Sequence, residues 1–264
     1  MTKKKFTIIT VCYNAETYIK ETIESLLKQT CDDYEYIIKD GISTDRTLEI
    51  VHNLLNGRDN IQIISSPDKG IYDAMNQAVG LATGEYVYFL NAGDCFADRE
   101  VLNQTKNVIV KNGGDILYGN IIQVSDKTNR IYKYGNICKS KLYFSVGACI
   151  CHQAMFVKRE LFEDKVFDIT YKVCADREWQ LYQIDKKIKM IAMDYEVASV
   201  LMEGFSSRHI EEFEKEIIRC LNVYCSGTAW IYKLILNIKE NRIVLFFMRM
   251  VEKILLTKKS EMKR

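Results

Sequence analysis

Proline is nearly missing from this chain: Pro67 is the only one in 264 residues. With a charged fraction of 27%, that argues against long disordered linkers. The nine cysteines form no C-x-x-C pair, so a zinc site is not expected. Their odd number and scatter fit reduced, buried thiols in a cytoplasm. No G-x-G-x-x-G follows the first apolar run, and there is no G-x-x-x-x-G-K-[ST], so dinucleotide and P-loop readings lose their phosphate-binding glycines. The longest uninterrupted apolar run of the C-terminal region, Ile243 to Met248, is far too short to cross a bilayer. A formal net charge of +2 gives no reason to expect nucleic acid. The start, Met1 to Lys5 followed by Phe6 to Tyr13, imitates a signal peptide. Its apolar run is short, however, and Asn14 and Glu16 stand where a small-residue cleavage site belongs, so it reads as a first strand.

What is present is an alternating pattern. Phe6–Val11, Tyr34–Lys39, Ile61–Ile64 and the aromatic-rich run after Gly84 read as strands. Between them lie helical spacings over Ala15–Gln29, with Ile19, Ile23, Leu26 and Leu27 on one face, over Thr44–Leu55 with Ser43 as N-cap, and over Ile71–Leu81. Strands alternating with helices imply right-handed βαβ units and a parallel sheet. Each strand runs out into polar residues: Asn14, Asp40, Ser65 and Ser66, and Asn91 with Asp94. Parallel strands bring those ends to one edge, where ligands of open α/β sheets bind. Asp94, beside Gly93, is suited to hold a divalent cation on a diphosphate, although a strand-end turn with Asp as a helix cap reads equally well from the residues alone.

Beyond a helix near Arg99–Asn112 the pattern changes. Ile116–Ser125 and Arg130–Tyr134 form a hairpin signal about 126–129. Cys151–Val157 reads as a strand, and Cys149 and Cys151, alternating at its start, read as packing residues. Lys172–Trp179 leads into a helix through Lys186, and Ile188–Met193 and Val197–Met202 read as two short strands. From Ile210 the pattern is helical. Residues 230–264 carry nine Lys/Arg against three Asp/Glu, so +6, leaving −4 for the rest. Arg242, Arg249, Glu252 and Lys253 make a narrow polar stripe on an apolar helix. That suits an in-plane membrane-surface helix; packing on the domain or in an oligomer is the alternative.

The N-terminal half resembles the family-2 glycosyltransferases of the GT-A fold. The resemblance rests on Thr7–Asn14, Asp40–Thr47, Ser66–Asn76 and Gly84–Asp94, in that order and at fitting spacing. It continues more thinly through His152-Gln153, Ala175–Glu178 and Gly204–Ser207, and covers about residues 5–210. In pattern the chain is similar to bacterial enzymes that build capsular or extracellular polysaccharide. The resemblance implies an α/β, GT-A type, nucleotide-binding mixed sheet flanked by helices. It divides the chain into a transferase domain at 1–210, with a nucleotide-binding half at 1–95 and an acceptor half at 96–210, and a C-terminal helical, basic, amphipathic segment at 211–264.

It also implies a nucleotide-diphosphate sugar donor, UDP-linked by preference, a divalent cation (Mg²⁺ or Mn²⁺) and inversion at the anomeric carbon. By position, Thr10, Tyr13, Asn14 and Asp40 would hold base and ribose. Lys69 and Gly70 would lie near the diphosphate or base, and Asn91 and Ala92 would line the floor of the donor site. Asp94 would bind the metal, with His209 a further candidate ligand. Asp176 would be the general base; His152 and Gln153 stand on the acceptor side with Glu178, the rival base. The chain departs from the family's two adjacent acids by carrying Gly93 before Asp94. The expected acceptor is a glycan or lipid-linked sugar at the cytoplasmic membrane face. A sugar nucleotidyltransferase, or a non-catalytic nucleotide-binding or membrane-partner module, remains an alternative.

Overall fold

The computed structural model of the chain describes residues 4–124, 129–132, 144, 149–201, 209–227, 229–232 and 234. The Gly204–Ser207 motif, the hairpin turn at 126–128 and the amphipathic pattern of 235–264 lie outside the described residues.

β1 (Phe6–Cys12), β2 (Tyr34–Asp40), β3 (Ile61–Ser65) and β4 (Tyr86–Phe89) are parallel, in the order β3-β2-β1-β4. Between them run α1 (Ile19–Leu27), α2 (Thr47–Leu55) and α3 (Ile71–Val79). All seven residues of β1 are buried, because a parallel strand covered by helices on both faces must be apolar on both. Ile9 and Val11 face the layer of α3. Phe6, Ile8 and Cys12 face the opposite layer, which holds Ile19 and Ile23 of α1 and Val51 of α2. Complete burial of a side chain such as Ile8, Ile9 or Phe6 is worth about 1.5–3 kcal/mol.

After β4 the sheet becomes mixed. A short β5 (Cys95–Phe96), α4 (Val101–Asn112), β6 (Ile116–Val124) and β7 (Asn129–Tyr132) precede a 3₁₀ turn at His152–Ala154 and β8 (Met155–Lys158). Then come α5 (Glu160–Asp164), α6 (Ala175–Asp185), β9 (Met190–Leu201) and α7 (Ile210–Tyr224). The sheet order is completed by β8-β6-β9-β5, with β7 on β6. β8 runs antiparallel to β4, Tyr86 opposite Lys158 and Val87 opposite Val157.

Four local expectations change. Ser43 does not cap α2: its hydroxyl bonds Asp40, and Asp45 instead accepts the Thr47 N–H at 3.0 Å, so the helix starts at Thr47. α1 is shorter than its apolar spacing suggested, because Asn14 has a left-handed φ of 47° and Ala15–Tyr18 forms a turn; Leu27 is half-buried. Cys149 and Cys151 precede a 3₁₀ turn and are not in a strand. The two short strands at 188–202 are one strand, β9, paired along β6 with register shifts between Tyr118 and Ile121 that let it bend.

An aromatic cluster fixes the start of α6. Trp179 stacks on Phe162 at 4.8 Å and packs against Phe167 at 6.1 Å, while Phe167 meets Tyr72 of α3 at 5.4 Å. The Trp179 indole N–H donates to the Lys165 carbonyl at 2.6 Å. α6 is thereby held against α3 by rigid, interlocking rings.

Candidate active site

The parallel ends of β1, β2 and β4 define one edge of the sheet. Because β8 is antiparallel to β4, the residues that enter β8 lie beside the residues that leave β4. His152 and Gln153 are thus delivered next to Asn91 and Asp94, and the Tyr88 hydroxyl on β4 clamps the Gln153 carbonyl at 2.6 Å. The Gln153 side-chain N–H₂ donates to Asp94 Oδ2 at 3.0 Å, and the Cys151 thiol donates to Gln153 Oε1 at 2.5 Å, which turns the amide toward Asp94.

The second half of the constellation comes from α3 and α6. His152 Nδ1 lies 3.2 Å from Asp176 Oδ2, and His152 Nε2 lies 3.1 Å from the Asn91 amide nitrogen. A neutral imidazole with its proton on Nδ1 satisfies both contacts, donating to the carboxylate and accepting from the amide. Asp176 Oδ1 accepts from the Tyr72 hydroxyl at 3.0 Å and from the Arg177 N–H at 2.9 Å. Burial pushes the Asp176 carboxyl upward, but the hydrogen bond from His152, the Arg177 charge and the Tyr72 hydrogen bond hold it below the usual carboxylate range. Asp176 is therefore an ionised, oriented carboxylate at neutral pH.

Asp94 has the opposite environment. It is buried, and burial pushes its pKa up to about 6, against the Gln153 hydrogen bond and the nearby His152. A buried carboxylate with one neutral donor lacks a counter-charge. Asn91 Oδ1, three residues earlier, is a buried oxygen with no hydrogen-bond partner. These donors fit a cation that keeps its waters and takes diphosphate oxygens, and they do not make a closed protein cage. Among the described residues no group of three His, Cys, Asp or Glu could hold a metal. His209 is exposed, immediately before α7. Gly93, which stands in place of the first of the two acids, has φ of 101°, a backbone conformation that strains any side chain.

The other predicted residues divide. Tyr13 is 64% exposed, and its side chain stands beside Gly41, where an added Cβ would meet it at 3.5 Å. Lys69 is exposed and Gly70, with φ of 121°, opens α3. Thr10 is fully buried, its hydroxyl donating to the Leu90 carbonyl at 2.6 Å and touching the Tyr36 hydroxyl, so its side chain belongs to the core. Asn14 braces the β2–α2 loop by accepting from the Thr44 N–H at 2.9 Å. Asp40 is fully buried with both oxygens engaged, by Ser43 and by the Ser65 hydroxyl at 2.7 Å. Ala92 is half-buried, bonded through its N–H to Val11. Glu178 is buried on another side of α6, paired with Lys165 at 2.9 Å and bonded by the Tyr224 hydroxyl. Two residues on, it lies about 200° around the helix from Asp176, and it takes no part in the His152 chain.

Two features escaped the sequence. Lys39 is buried in β2 and ties the Ser66 carbonyl at 2.6 Å and Asp68 at 3.1 Å, fixing the loop before α3. A lysine inside an otherwise apolar strand was the visible signal. Tyr72, which also bonds the Val173 carbonyl at 2.8 Å, had none beyond its place in the motif.

Residues 7–164, more than half of the chain, match the family described as Glycosyl transferase family 2. A PGL/p-HBAD biosynthesis glycosyltransferase of Mycobacterium bovis is 34% identical over 185 residues, 69% of this chain and 70% of that protein. In three dimensions the chain is similar to S. aureus TarS solved in complex with UDP, with TM-score 0.67 and 21% identity over 83% of this chain. It spans 65% of that structure. It is also similar to the mannosyltransferase PcManGT of Pyrobaculum calidifontis, solved with GDP-Man and Mn²⁺, with TM-score 0.62 and 18% identity over 83% of this chain and 65% of that one. The two solved structures carry the fold, a mixed sheet flanked by helices; the family match and the mycobacterial relative carry the assignment. The chain is a glycosyltransferase and belongs to glycosyl transferase family 2.

Proposed function

We propose that this chain transfers a sugar, with inversion, from a nucleotide-diphosphate sugar to a hydroxyl of a glycan or lipid-linked acceptor in bacterial surface-polysaccharide synthesis. The observation that carries the reading is the pairing of an ionised Asp176 with His152, one residue from the Gln153 that holds Asp94. In a single displacement the acceptor oxygen bonds the anomeric carbon as the bond to the diphosphate oxygen breaks. The hydroxyl proton passes to Asp176. Oδ1 already takes two hydrogen bonds and Oδ2 one, so Oδ2 is the open acceptor for that proton. His152 orients the carboxylate, and Asn91 keeps the imidazole in the tautomer that does so.

On the donor side, the exposed Tyr13 ring offers a flat face for a base, and Lys69 and Gly70 lie on the loop leading into α3. A divalent cation, Mg²⁺ or Mn²⁺, would be held by Asp94 and would neutralise charge on the leaving diphosphate. The PcManGT complex with Mn²⁺ supports a cation of this class. The test is a donor screen: UDP-glucose, UDP-N-acetylglucosamine and GDP-mannose, each with Mn²⁺ or Mg²⁺, followed by release of nucleoside diphosphate. Cation-dependent release from at least one UDP-sugar is expected. Failure of every donor, together with no metal-dependent UDP binding by calorimetry, would favour the binding module.

The acceptor reading places the chain at the inner face of the cell membrane, with residues 230–264 on its surface. Among the described residues no helix is long and apolar enough to cross a membrane. Support comes from the +6 balance of that segment, worth about 1 kcal/mol of attraction per basic residue near an anionic bilayer. Removing residues 235–264 is expected to abolish co-sedimentation with phosphatidylglycerol vesicles. Undiminished sedimentation of the shortened chain would point to oligomer contacts instead.

A further inference from the structure

Asp176 is placed by a helix that lies outside the stretch matched to the family. The loop before α6 presents three backbone N–H groups in a row, from Lys172, Val173 and Cys174. All three donate to the carboxylate of Glu216 on α7, at 2.6, 2.9 and 2.9 Å. Glu216 is 5% exposed. These N–H groups lie at the entrance of a helix, where no intrahelical acceptor exists, so Glu216 supplies the partners that the loop cannot find in itself. Charge-assisted bonds of this kind are the stronger class, and three on one carboxylate define a position as well as an energy.

The rest of the interface repeats the theme. The Cys174 thiol donates to the Phe213 carbonyl at 3.6 Å. Arg219 bonds the Thr170 hydroxyl at 2.9 Å and lies over the Tyr171 ring at 4.0 Å. The Arg177 guanidinium, next to Asp176, lies over the Phe213 ring at 4.9 Å. From the other side, Tyr72 holds both the Val173 carbonyl and Asp176. The loop 170–174 is thus clamped between α7 and α3, and Asp176 follows two residues later.

We infer that Glu216 is a positioning residue for the general base: by anchoring the 172–174 backbone it sets the Asp176 carboxylate against His152. The inference rests on the reading of Asp176 as base. It implies that α7 influences turnover through the placement of Asp176.

The protein has three histidines, His52, His152 and His209, so its imidazoles can be followed individually by nitrogen-15 NMR of the full chain, with His52→Gln and His209→Gln for assignment. His152 is expected to show the neutral Nδ1-protonated signature, which Asp176→Asn removes. Glu216→Gln should shift the His152 signals in the same direction, most of the way to the Asp176→Asn position. Turnover of the donor selected by the screen should fall about 10- to 100-fold, as a displacement of about 1 Å costs. Affinity for UDP with Mn²⁺ should stay within about twofold, since no donor contact is removed. Glu216→Gln with wild-type His152 signals, where Asp176→Asn does move them, overturns the inference alone. If Asp176→Asn leaves His152 unmoved, the pairing itself is wrong and the reading of the base falls with it. Should Glu216→Gln not fold, Arg219→Ala on the exposed side of the clamp decides: a smaller shift in the same direction is expected, and unchanged signals overturn the proposal.

Discussion

Asp176→Asn is expected to lower turnover about 10²–10⁴-fold, the usual worth of a positioned general base, or about 3–5 kcal/mol of barrier. The amide keeps the shape and can still accept from Tyr72, but it cannot take the acceptor proton. Affinity for UDP with Mn²⁺ should be nearly unchanged, because no part of the donor is proposed to rest on this carboxylate. The measurements are single-turnover rates and calorimetry on the same preparation. Full activity in the variant removes Asp176 from the mechanism. Glu178→Gln is no substitute test, since Glu178 is committed to Lys165 and Tyr224. The pH behaviour has a definite sign. The folded-state pKa of Asp176 is depressed, so its contribution to stability is present above the ordinary carboxylate pKa and is lost as pH falls through the depressed value. Its base form persists throughout the neutral and mildly acidic range.

Asp94→Asn is expected to remove cation-dependent donor binding, with a loss of at least about 10–100-fold in affinity for UDP with Mn²⁺. Removing the metal from the wild type with a chelator should give the same weak binding, and the two losses should not add. A variant that binds UDP with Mn²⁺ like the wild type would refute the metal assignment. Stability should move the other way. The buried Asp94 carboxyl is raised from 3.8 to about 6, so keeping it ionised at neutral pH costs roughly 3 kcal/mol without a cation. The sign follows: with its pKa raised, this group favours the folded state least when ionised, above about pH 6, and the cost fades as it becomes protonated. An asparagine carries no such cost. The cation-free variant should therefore melt a few degrees above the cation-free wild type at neutral pH, as expected when function holds a site in an unfavourable state.

The parallel half of the sheet was legible because three of its strands, β1, β2 and β4, are buried on both faces. Phe6–Val11 and Tyr34–Lys39 read as short runs rich in β-branched and aromatic residues, which suit strands buried between layers of amphipathic helices. The site was legible in part. Asp94 follows a strand that stops abruptly, and Asp176 precedes a helical pattern, so both stood where chemistry is found. Thr10 was misplaced even though the rule that corrects it is simple. In β1 it has the parity of Ile8 and so faces the α1–α2 layer, where Tyr36 and Leu90 engage its hydroxyl. Asp40 stood at a strand end as expected, but nothing local revealed that Ser43 and Ser65 would occupy its oxygens. The two strands expected within 188–202 became one because β6 offered a continuous partner along the whole length.

The βαβ alternation, the shared polar edge and the candidacy of Asp94 and Asp176 could be read from the residues alone, because periodicity and strand-end chemistry are local properties. Which groups face one another emerges with the packed fold. His152 meets Asp176 across 24 residues, Gln153 meets Asp94 across 59, and Glu216 reaches back more than 40 to the loop before α6. Those meetings depend on β8 running antiparallel to β4 and on α7 packing against α6. Both are long-range pairings whose hydrogen bonds exist only once the chain has closed.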